Sequence, residues 1–187
     1  MAVDSLFGAG WPSIGGGHSF PGCTHWRNPV QVGRRIVTCS TFNRTKRDDP
    51  CFQPGFGVYL AACWRDRLGS LVTNGSRIKS LADRREYPAL FVDWPDMAGR
   101  PPELLAQLVD ICLCKMRQGL VVDIGCHAGH GRTGTLLACL IARVEHLPAE
   151  RAIAEVRRRY CRHAVEHQAQ EKAIAEYVKI MPEGWKK

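Results

Sequence analysis

Short runs of β-branched and apolar residues, separated by polar or glycine- and proline-rich stretches, predict β-strands before residue 125. The predicted strands are residues 35–40, 58–62, 70–73, 89–93 and 120–124. The last of these reads Leu-Val-Val-Asp-Ile, with four apolar residues in five. Continuous apolar character of this kind is typical of a strand that is buried on both faces of a parallel sheet.

Apolar positions with a helical period predict helices after residue 100. The first follows Pro102, carries apolar residues at positions 104, 105, 108, 111, 112 and 116, and ends at Gly119. The others are predicted at residues 133–146, 148–160 and 166–180. Because strands alternate with helices, we expect an α/β fold in which a mostly parallel central sheet is flanked by helices.

The chain divides into a loop-rich first part and a regular second part. Its length of 187 residues favours one domain over two. Residues 1–55 are predicted to form an N-terminal arm and loop-rich segment packed on the domain, and residues 56–187 to form the domain itself. The arm contains three aromatic residues that are too apolar for a free tail, so part of it is expected to dock: Trp11, Phe20 and Trp26.

Composition and charge narrow the class of protein. Apolar residues make up 45% of the chain, which is enough to build a core and excludes general disorder. The formal net charge of +8 favours anionic partners such as phosphate esters, nucleic acid or acidic lipid headgroups. No stretch reaches the roughly 18 consecutive apolar residues of a membrane-spanning helix. The first residues lack the features of a secretory signal, and we expect a cytoplasmic protein.

The spacing of the cysteines fits neither a disulfide framework nor a zinc site. There are nine of them at irregular spacings, which is typical of reduced thiols in the cytosol. No set of cysteines and histidines has a convincing zinc spacing, since Cys23-Thr-His25 is weak by itself. We therefore expect no metal and no organic cofactor.

The most informative segment is residues 122–134, which read Val-Asp-Ile-Gly-Cys-His-Ala-Gly-His-Gly-Arg-Thr-Gly. Cys126 follows a buried strand, and Arg132 enters a helix after a tight glycine-rich turn. The glycines allow positive φ and close backbone approach, so the N–H groups of residues 127–132 can form an anion site at a helix N-terminus. Arg132 can add a bidentate fork to two oxygens of a phosphoryl group.

The same positive field favours the thiolate form of Cys126, which points to nucleophilic attack on phosphorus. This Cys-x5-Arg-Thr segment resembles the signature of the protein tyrosine phosphatase superfamily, especially its dual-specificity branch. The resemblance covers about residues 56–180 and makes 56–187 the catalytic domain of a cysteine-dependent phosphatase. It implies a phosphocysteine intermediate formed without metal or organic cofactor. Gly125 stands where the family usually has a histidine that orders the loop and tunes the thiolate.

A general acid is predicted upstream. Asp96 follows a strand at 89–93, and because the carboxyl ends of parallel strands share one edge of the sheet, it can face the same pocket as Cys126. A positioned acid would protonate the leaving oxygen. Trp94-Pro95-Asp96 is also similar to the mobile loop of the superfamily, in which the aspartate is the acid. Asp93 is the rival candidate.

Two further residues are expected to assist hydrolysis of the intermediate. The hydroxyl of Thr133 can stabilise the departing thiolate, or serve as a cap of the following helix. Residues 164–170 resemble the Ala-Val-Glu-x-x-x-Gln pattern of dual-specificity relatives. By that register Gln170 orients the attacking water, with Gln168 as the fallback and a solvated surface glutamine as the plain alternative.

The predicted phosphate-binding residues are those of the loop itself: His127, Ala128, Gly129, His130, Gly131 and Arg132. The two histidines can contact extra phosphates of a substrate or simply point outward at the rim. Related loops with basic residues at these positions often belong to phosphoinositide phosphatases. A second thiol, such as Cys139 or Cys161, is a candidate for a protective disulfide with Cys126.

These observations predict a phosphatase acting on phosphotyrosine, and also on phosphoserine or phosphothreonine, in proteins. The alternatives are a phosphoinositide or RNA 5′-phosphate phosphatase, a catalytically dead phospho-binding module, and a sulfur-transfer enzyme, which would not explain Trp94-Pro95-Asp96. Arginine clusters at 34–35, 44–47 and 157–159 leave RNA as a less favoured partner. The expected partner is a phosphorylated protein or another phosphate monoester, and the oligomeric state stays open.

Overall fold

The computed structural model of the chain describes residue 23 and residues 29–42, 55–62, 77–79 and 86–182. Several sequence predictions lie outside the described residues: the aromatic residues of the arm, the basic cluster at 44–47 and the strand at 70–73. None of the helices in the described ranges is long and apolar enough to cross a bilayer.

In the part of the chain that the structure describes, six strands form one sheet in the order β1-β2-β6-β3-β5-β4. They are β1 (Val30–Val32), β2 (Arg35–Thr41), β3 (Phe56–Tyr59), β4 (Arg77–Lys79), β5 (Glu86–Phe91) and β6 (Val122–Cys126). The four central strands, β2, β6, β3 and β5, are parallel to one another, and the edge strands β1 and β4 are antiparallel to their neighbours. The mostly parallel central sheet is therefore confirmed, with two short edge strands that the hydrophobic pattern did not predict.

Strand β6 lies near the middle of the sheet and carries the predicted nucleophile at its end. All five of its residues are buried, because β2 and β3 pair with it on both sides. The strand begins at Val122, which pairs with Val37 of β2 and Phe56 of β3. The predicted strand at 120–124 is therefore displaced by two residues, and Cys126 is the last residue of the strand.

Within the described residues, four helices pack on the sheet: α1 (Pro102–Arg117), α2 (Gly131–Glu145), α3 (Ala149–Arg159) and α4 (Gln168–Ile180). Helix α2 is buried over residues 131–143 and packs against the other three helices. Helix α1 begins with prolines, has Glu103 in its first turn and ends with Lys115 and Arg117, a distribution that suits the helix dipole. The α/β arrangement predicted from the sequence is confirmed.

Helix α4 begins two residues later than predicted, and the backbone before it gives the reason. Val165 adopts a left-handed conformation with φ of 61°, and His167 is extended, so neither can belong to a helix. The side chain of Gln170 then bonds to the backbone at the helix start, and His167 completes a capping box.

The hairpin formed by β1 and β2 is tied to the helices on its own side of the sheet. At its turn, Gly33 has φ of +58°, and a Cβ there would lie 2.6 Å from Val144 Cγ1. The N–H of Gly33 donates to Glu145 Oε1 at 3.3 Å, and Arg159 Nη1 donates to the carbonyl oxygen of Gln31 at 3.1 Å. Strands β1 and β2, from the predicted N-terminal segment 1–55, belong to the same sheet as the strands after residue 55. The division of the chain at residue 55 stays a prediction.

Candidate active site

Cys126 lies at the point where β6 ends and a short loop leads into α2. Its thiol is buried, with the residue 2% exposed, and the N–H of Gly129 donates to Cys126 Sγ at 3.2 Å. Gly129 has φ of 80°, a left-handed conformation that glycine adopts without strain. The loop therefore turns a backbone N–H toward the sulfur, and the N-terminus of α2 follows directly.

The two other glycines of the loop region are required for close packing rather than for their backbone angles. A Cβ on Gly131 would lie 2.6 Å from Gln170 Nε2 and 2.6 Å from Glu166 Oε2. A Cβ on Gly134 would lie 2.8 Å from the backbone nitrogen of Val165. The connection between α3 and α4 thus rests directly against the first turn of α2.

Arg132 joins the cysteine loop to the predicted acid loop. Its side chain is only 7% exposed, Nη1 donates to the carbonyl oxygen of Trp94 at 2.9 Å, and Nη2 lies 3.1 Å from Asp96 Oδ1. The two segments that sequence reasoning assigned to one pocket are therefore in direct contact. A buried guanidinium group without a full set of bonds is costly, and these two partners compensate part of that cost.

The acid loop is anchored by its tryptophan. Trp94 is 1% exposed and its Nε1 donates to the carbonyl oxygen of Ala98 at 2.9 Å. The Asp96 side chain remains 60% exposed and also accepts a bond from the N–H of Met97 at 3.1 Å. Asp93, the rival acid, is exposed, and its carbonyl oxygen accepts a bond from Arg100. Among the described contacts, Asp96 is the carboxylate that reaches Arg132.

Thr133 is fully buried in the first turn of α2. Within the described part of the chain its Oγ1 has no hydrogen-bond partner, so the hydroxyl does not cap the helix. A buried hydroxyl without a partner is unfavourable in itself, and such groups often mark a functional position. The arrangement suits the predicted role beside the Cys126 thiolate.

Gln170 is buried in the first turn of α4 and faces the loop. Its Oε1 accepts bonds from the N–H groups of Glu166 at 2.9 Å and His167 at 3.3 Å. Its Nε2 lies against Gly131 and has no hydrogen-bond partner among the residues that the structure describes. The alternative of a solvated surface glutamine is therefore wrong for Gln170, whereas Gln168 is exposed.

Glu166 is a site residue that the sequence analysis did not single out. Its carboxylate reaches Gly131, and its pKa is raised by burial and by the negative charge of Asp96, against lowering contributions from the Gly131 N–H and Arg132. The side chain is partly in contact with solvent, so the shift is moderated by water. The available signal was the Ala-Val-Glu segment itself, in which Glu166 precedes Gln170 by four residues.

Two aromatic residues support the loop from opposite sides. The hydroxyl of Tyr160, which is buried, donates to the carbonyl oxygen of Gly129, and burial raises the pKa of Tyr160 well above its usual range. On the other side, the N–H of Phe42 donates to the carbonyl oxygens of Cys126 and His127, and the Phe42 ring stacks on the His127 ring at 5.7 Å. Both contacts join residues far apart in sequence, and sequence reasoning missed them.

The two loop histidines differ in position. His127 is partly exposed, in agreement with a place at the rim. His130 is only 2% exposed, and its ring lies within 4.8 Å of the thiols of Cys23 and Cys161. The idea that its side chain reaches extra phosphates or points outward is therefore wrong, and His130 stays a predicted phosphate-binding residue through its backbone N–H alone.

A buried polar network lies in the sheet behind the cysteine. Asp123 of β6 is 3% exposed and accepts bonds from Thr38 Oγ1 at 2.6 Å and from the Tyr59 hydroxyl at 3.0 Å. Tyr59 in turn lies 2.8 Å from the Tyr87 hydroxyl. Burial and the charge of Asp123 raise the pKa of Tyr59 well above its usual range. These bonds fix β6 between its neighbours three residues before Cys126.

Taken together, these residues can bind and cleave a tetrahedral oxyanion ester. The thiol accepts a bond from a backbone N–H in the loop before α2, and the first turn of that helix carries a buried guanidinium group that pairs with a carboxylate.

Comparison with known sequences places the chain beside two uncharacterized proteins of Methanocaldococcus jannaschii. The chain is 37% identical over 132 residues to MJECL20, with 68% of this chain and 88% of that protein covered. It is 29% identical over 162 residues to MJ0215, covering 80% of this chain and 98% of that protein. No protein-family model matches the sequence.

Several solved structures superpose on most of this chain. Tk-PTP in its active form has a TM-score of 0.66 and 22% identity, covering 83% of this chain and 99% of that chain. Kinase associated phosphatase has a TM-score of 0.61 and 13% identity, covering 81% and 92%. PTPMT1 in complex with PI(5)P has a TM-score of 0.59 and 18% identity, covering 77% and 89%. At these identities the likeness establishes the fold that the structures share.

Proposed function

Because the chain has the protein tyrosine phosphatase fold and belongs to one family with MJECL20, we propose that it is a phosphatase that hydrolyses phosphate monoesters through a phosphocysteine on Cys126. The observation that carries the proposal is the position of Arg132. Its guanidinium group lies 3.1 Å from the carboxylate of Asp96, and the residue itself lies in the first turn of the helix that follows the Cys126 loop. One buried cation therefore joins the nucleophile loop to the acid loop.

In the first step the Cys126 thiolate attacks phosphorus. A sulfur–phosphorus bond forms, and the bond between phosphorus and the ester oxygen breaks. The N–H groups of the loop and the Arg132 fork bind the equatorial oxygens, where negative charge is held in the transition state. Asp96, in its protonated form, donates a proton to the leaving oxygen.

In the second step water attacks the phosphocysteine. Asp96, now ionised, accepts a proton from the water, and the sulfur–phosphorus bond breaks to release inorganic phosphate. Gln170 Nε2 beside Gly131 suits a role in orienting the water, and the buried Thr133 hydroxyl suits a role in donating to the departing thiolate. Both assignments follow from side chains that retain unused hydrogen-bonding capacity inside the site.

The experiment is hydrolysis of an activated aryl phosphate by the full chain, with and without vanadate. We expect vanadate-sensitive turnover that is abolished in Cys126→Ser and retained in Cys114→Ser, which removes an exposed thiol on α1. Turnover that survives in Cys126→Ser would contradict the proposed nucleophile. Tight binding of vanadate without any turnover would identify a phospho-binding module instead of an enzyme.

The substrate is proposed to be phosphotyrosine, and also phosphoserine or phosphothreonine, in proteins. The second candidate is a phosphoinositide, favoured by the partly exposed His127 at the rim and by the similarity to PTPMT1, which was solved with PI(5)P. A phosphopeptide and a phosphoinositide should be compared in wild type and His127→Ala. If His127→Ala loses activity on the phosphoinositide alone, the lipid headgroup is favoured. If the substitution changes activity on both substrates by the same factor, His127 does not select the substrate.

A further inference from the structure

Three potential metal ligands, one of which is His130 of the cysteine loop, lie close together. The thiol sulfurs of Cys23 and Cys161 lie 3.9 Å apart, and these two sulfurs and a ring nitrogen of His130 all lie within 4.8 Å of one another. His130 and Cys161 are buried, and Cys23 is partly buried. This is the one such group of metal-ligating side chains within the described ranges.

The separation of the two sulfurs fits a shared metal ion better than a covalent bond. Zinc–thiolate bonds are about 2.3 Å long, so two thiolates at tetrahedral positions on one zinc ion lie about 3.8 Å apart. The sulfurs of a disulfide are about 2.05 Å apart. The observed 3.9 Å therefore matches the first arrangement with almost no movement of Cys23 or Cys161.

The chemistry of the donors selects the class of metal. Two thiolates and an imidazole are soft and borderline ligands that suit zinc, while magnesium and calcium prefer oxygen. Two thiolate charges also neutralise a divalent cation, so the complex can be buried without an uncompensated charge. Metal binding displaces the protons of both thiols, because the thiolate is the form of cysteine that ligates a metal.

We propose that Cys23, His130 and Cys161 form a binding site for one zinc-class divalent metal ion, with a fourth position open to water or another ligand. The site is structural. It joins three segments that are remote in sequence: the N-terminal segment at Cys23, the phosphate-binding loop at His130, and the α3–α4 connection at Cys161. A bound metal would restrain the loop through His130, which lies between Gly129 and Gly131. It would also attach the N-terminal segment to the domain through Cys23.

The test measures metal content and does not depend on phosphatase activity. Full-length protein purified under reducing conditions with Zn²⁺ should retain about one zinc per chain. Co²⁺ in its place should give thiolate charge-transfer absorption and the visible bands of a tetrahedral complex. Cys23→Ser and Cys161→Ser should each weaken retention by at least about tenfold and lower the melting temperature of the zinc-loaded protein.

Cys114→Ser and Cys126→Ser serve as controls, because one removes an exposed thiol and the other the nucleophile. Both should retain the metal. Should Cys161→Ser fail to fold, Cys23→Ser carries the test, since Cys23 is only partly buried.

Failure to retain Zn²⁺ or Co²⁺ in the reduced protein would overturn the proposal. Full retention in Cys23→Ser, or loss in Cys126→Ser, would also overturn it. Oxidation of the reduced, metal-free protein by air to a Cys23–Cys161 disulfide, seen as the loss of two hydrogens by mass, in a protein that retains no Zn²⁺ when reduced, would overturn the metal site and assign the pair to redox chemistry. Failure to retain Zn²⁺ or Co²⁺ in a protein that is still an active phosphatase would reject the metal site and leave the proposed function intact.

Discussion

The Asp96 carboxylate lies 3.1 Å from a guanidinium nitrogen of Arg132, and the Arg132 side chain is only 7% exposed while that of Asp96 is 60% exposed. The acid is therefore held at the rim by the residue that is proposed to bind the phosphoryl group. A phosphoryl group that takes both prongs of the Arg132 fork competes with Asp96 for the cation. Substrate binding is thus expected to release the Asp96 carboxylate toward the leaving oxygen.

Asp96→Asn should reduce turnover of substrates with poor leaving groups by about 10²- to 10⁴-fold, because the leaving oxygen then departs without a proton. Activated aryl phosphates, whose leaving groups need little protonation, should lose far less. The matched control is Asp93→Asn, which removes an exposed carboxylate of the same loop. Steady-state kinetics on both substrate classes checks the prediction, and equal losses for both would remove Asp96 from the acid role.

Gln170→Ala should slow the hydrolysis of the phosphocysteine more than its formation. The measurement is rapid mixing with an activated aryl phosphate. A burst of released phenol should report formation of the phosphocysteine, and the slower steady state that follows should report its hydrolysis. Gln168→Ala, on the exposed side of the same helix turn, should behave as wild type. The loss of the Gln170 bonds at the start of α4 should also cost about 1 kcal/mol of stability. Unchanged burst kinetics in Gln170→Ala would leave the residue with a capping role only.

Gly134→Ala should destabilise the protein by roughly 1–3 kcal/mol, because the new methyl group would lie 2.8 Å from the backbone nitrogen of Val165, which cannot rotate away. Gly119→Ala is the comparison, since its methyl group meets no atom within 4 Å and only its φ of +82° opposes the change. Urea unfolding of the two variants measures the difference. A smaller effect at Gly134 than at Gly119 would contradict the close packing of α2 on the α3–α4 connection.

The ion-pair network on α3 predicts a dependence of stability on pH. Hydrogen bonds from Arg158 and Arg159 lower the pKa of Glu155 to about 2, and a bond from Arg159 lowers the pKa of Glu145. Because these pKa values are lower in the folded protein than the unfolded value of about 4.3, the contribution is present above that value. It is lost as the pH falls through the folded pKa values, toward pH 2.

Urea midpoints measured from pH 7 down to pH 3 should therefore decline, and the decline should be shallower in Arg159→Gln than in wild type. The exposed Arg151 of the same helix supplies the control Arg151→Gln. An identical pH dependence in wild type and Arg159→Gln would show that this network contributes nothing measurable, as is common for exposed ion pairs.

The local part of the site could be predicted from the sequence because it is contained in two short segments. The cysteine loop follows β6 and the acid loop follows β5, and both strands have a clear apolar pattern. Parallel strands bring their carboxyl ends together, so the two loops are expected at one edge of the sheet. The structure places Arg132 and Asp96 in contact, as that reasoning expects. The roles of Cys126, Asp96, Thr133 and Gln170 stay predictions until they are measured.

The parts that could not be predicted depend on contacts between distant residues. Cys23 and Cys161 are separated by 138 positions, and Tyr160 contacts Gly129 across 31. Neither the hydrophobic periodicity of the sequence nor the spacing of its motifs predicts contacts between residues so far apart. Edge strand β1 was missed because three residues are too few to show an alternating pattern, and the sequence does not reveal that it pairs with β2.

Strand β6 is held by β2 on one side and by β3 on the other, and β2 comes from the first 55 residues. A fragment that started at residue 56 would leave β6, which ends at Cys126, as a bare edge with unpaired backbone groups. Such a fragment should aggregate or misfold instead of serving as a smaller enzyme. The shortest polypeptide that keeps this pairing must therefore begin upstream of Arg35, and truncation from the N-terminus should abolish folding once it passes that residue.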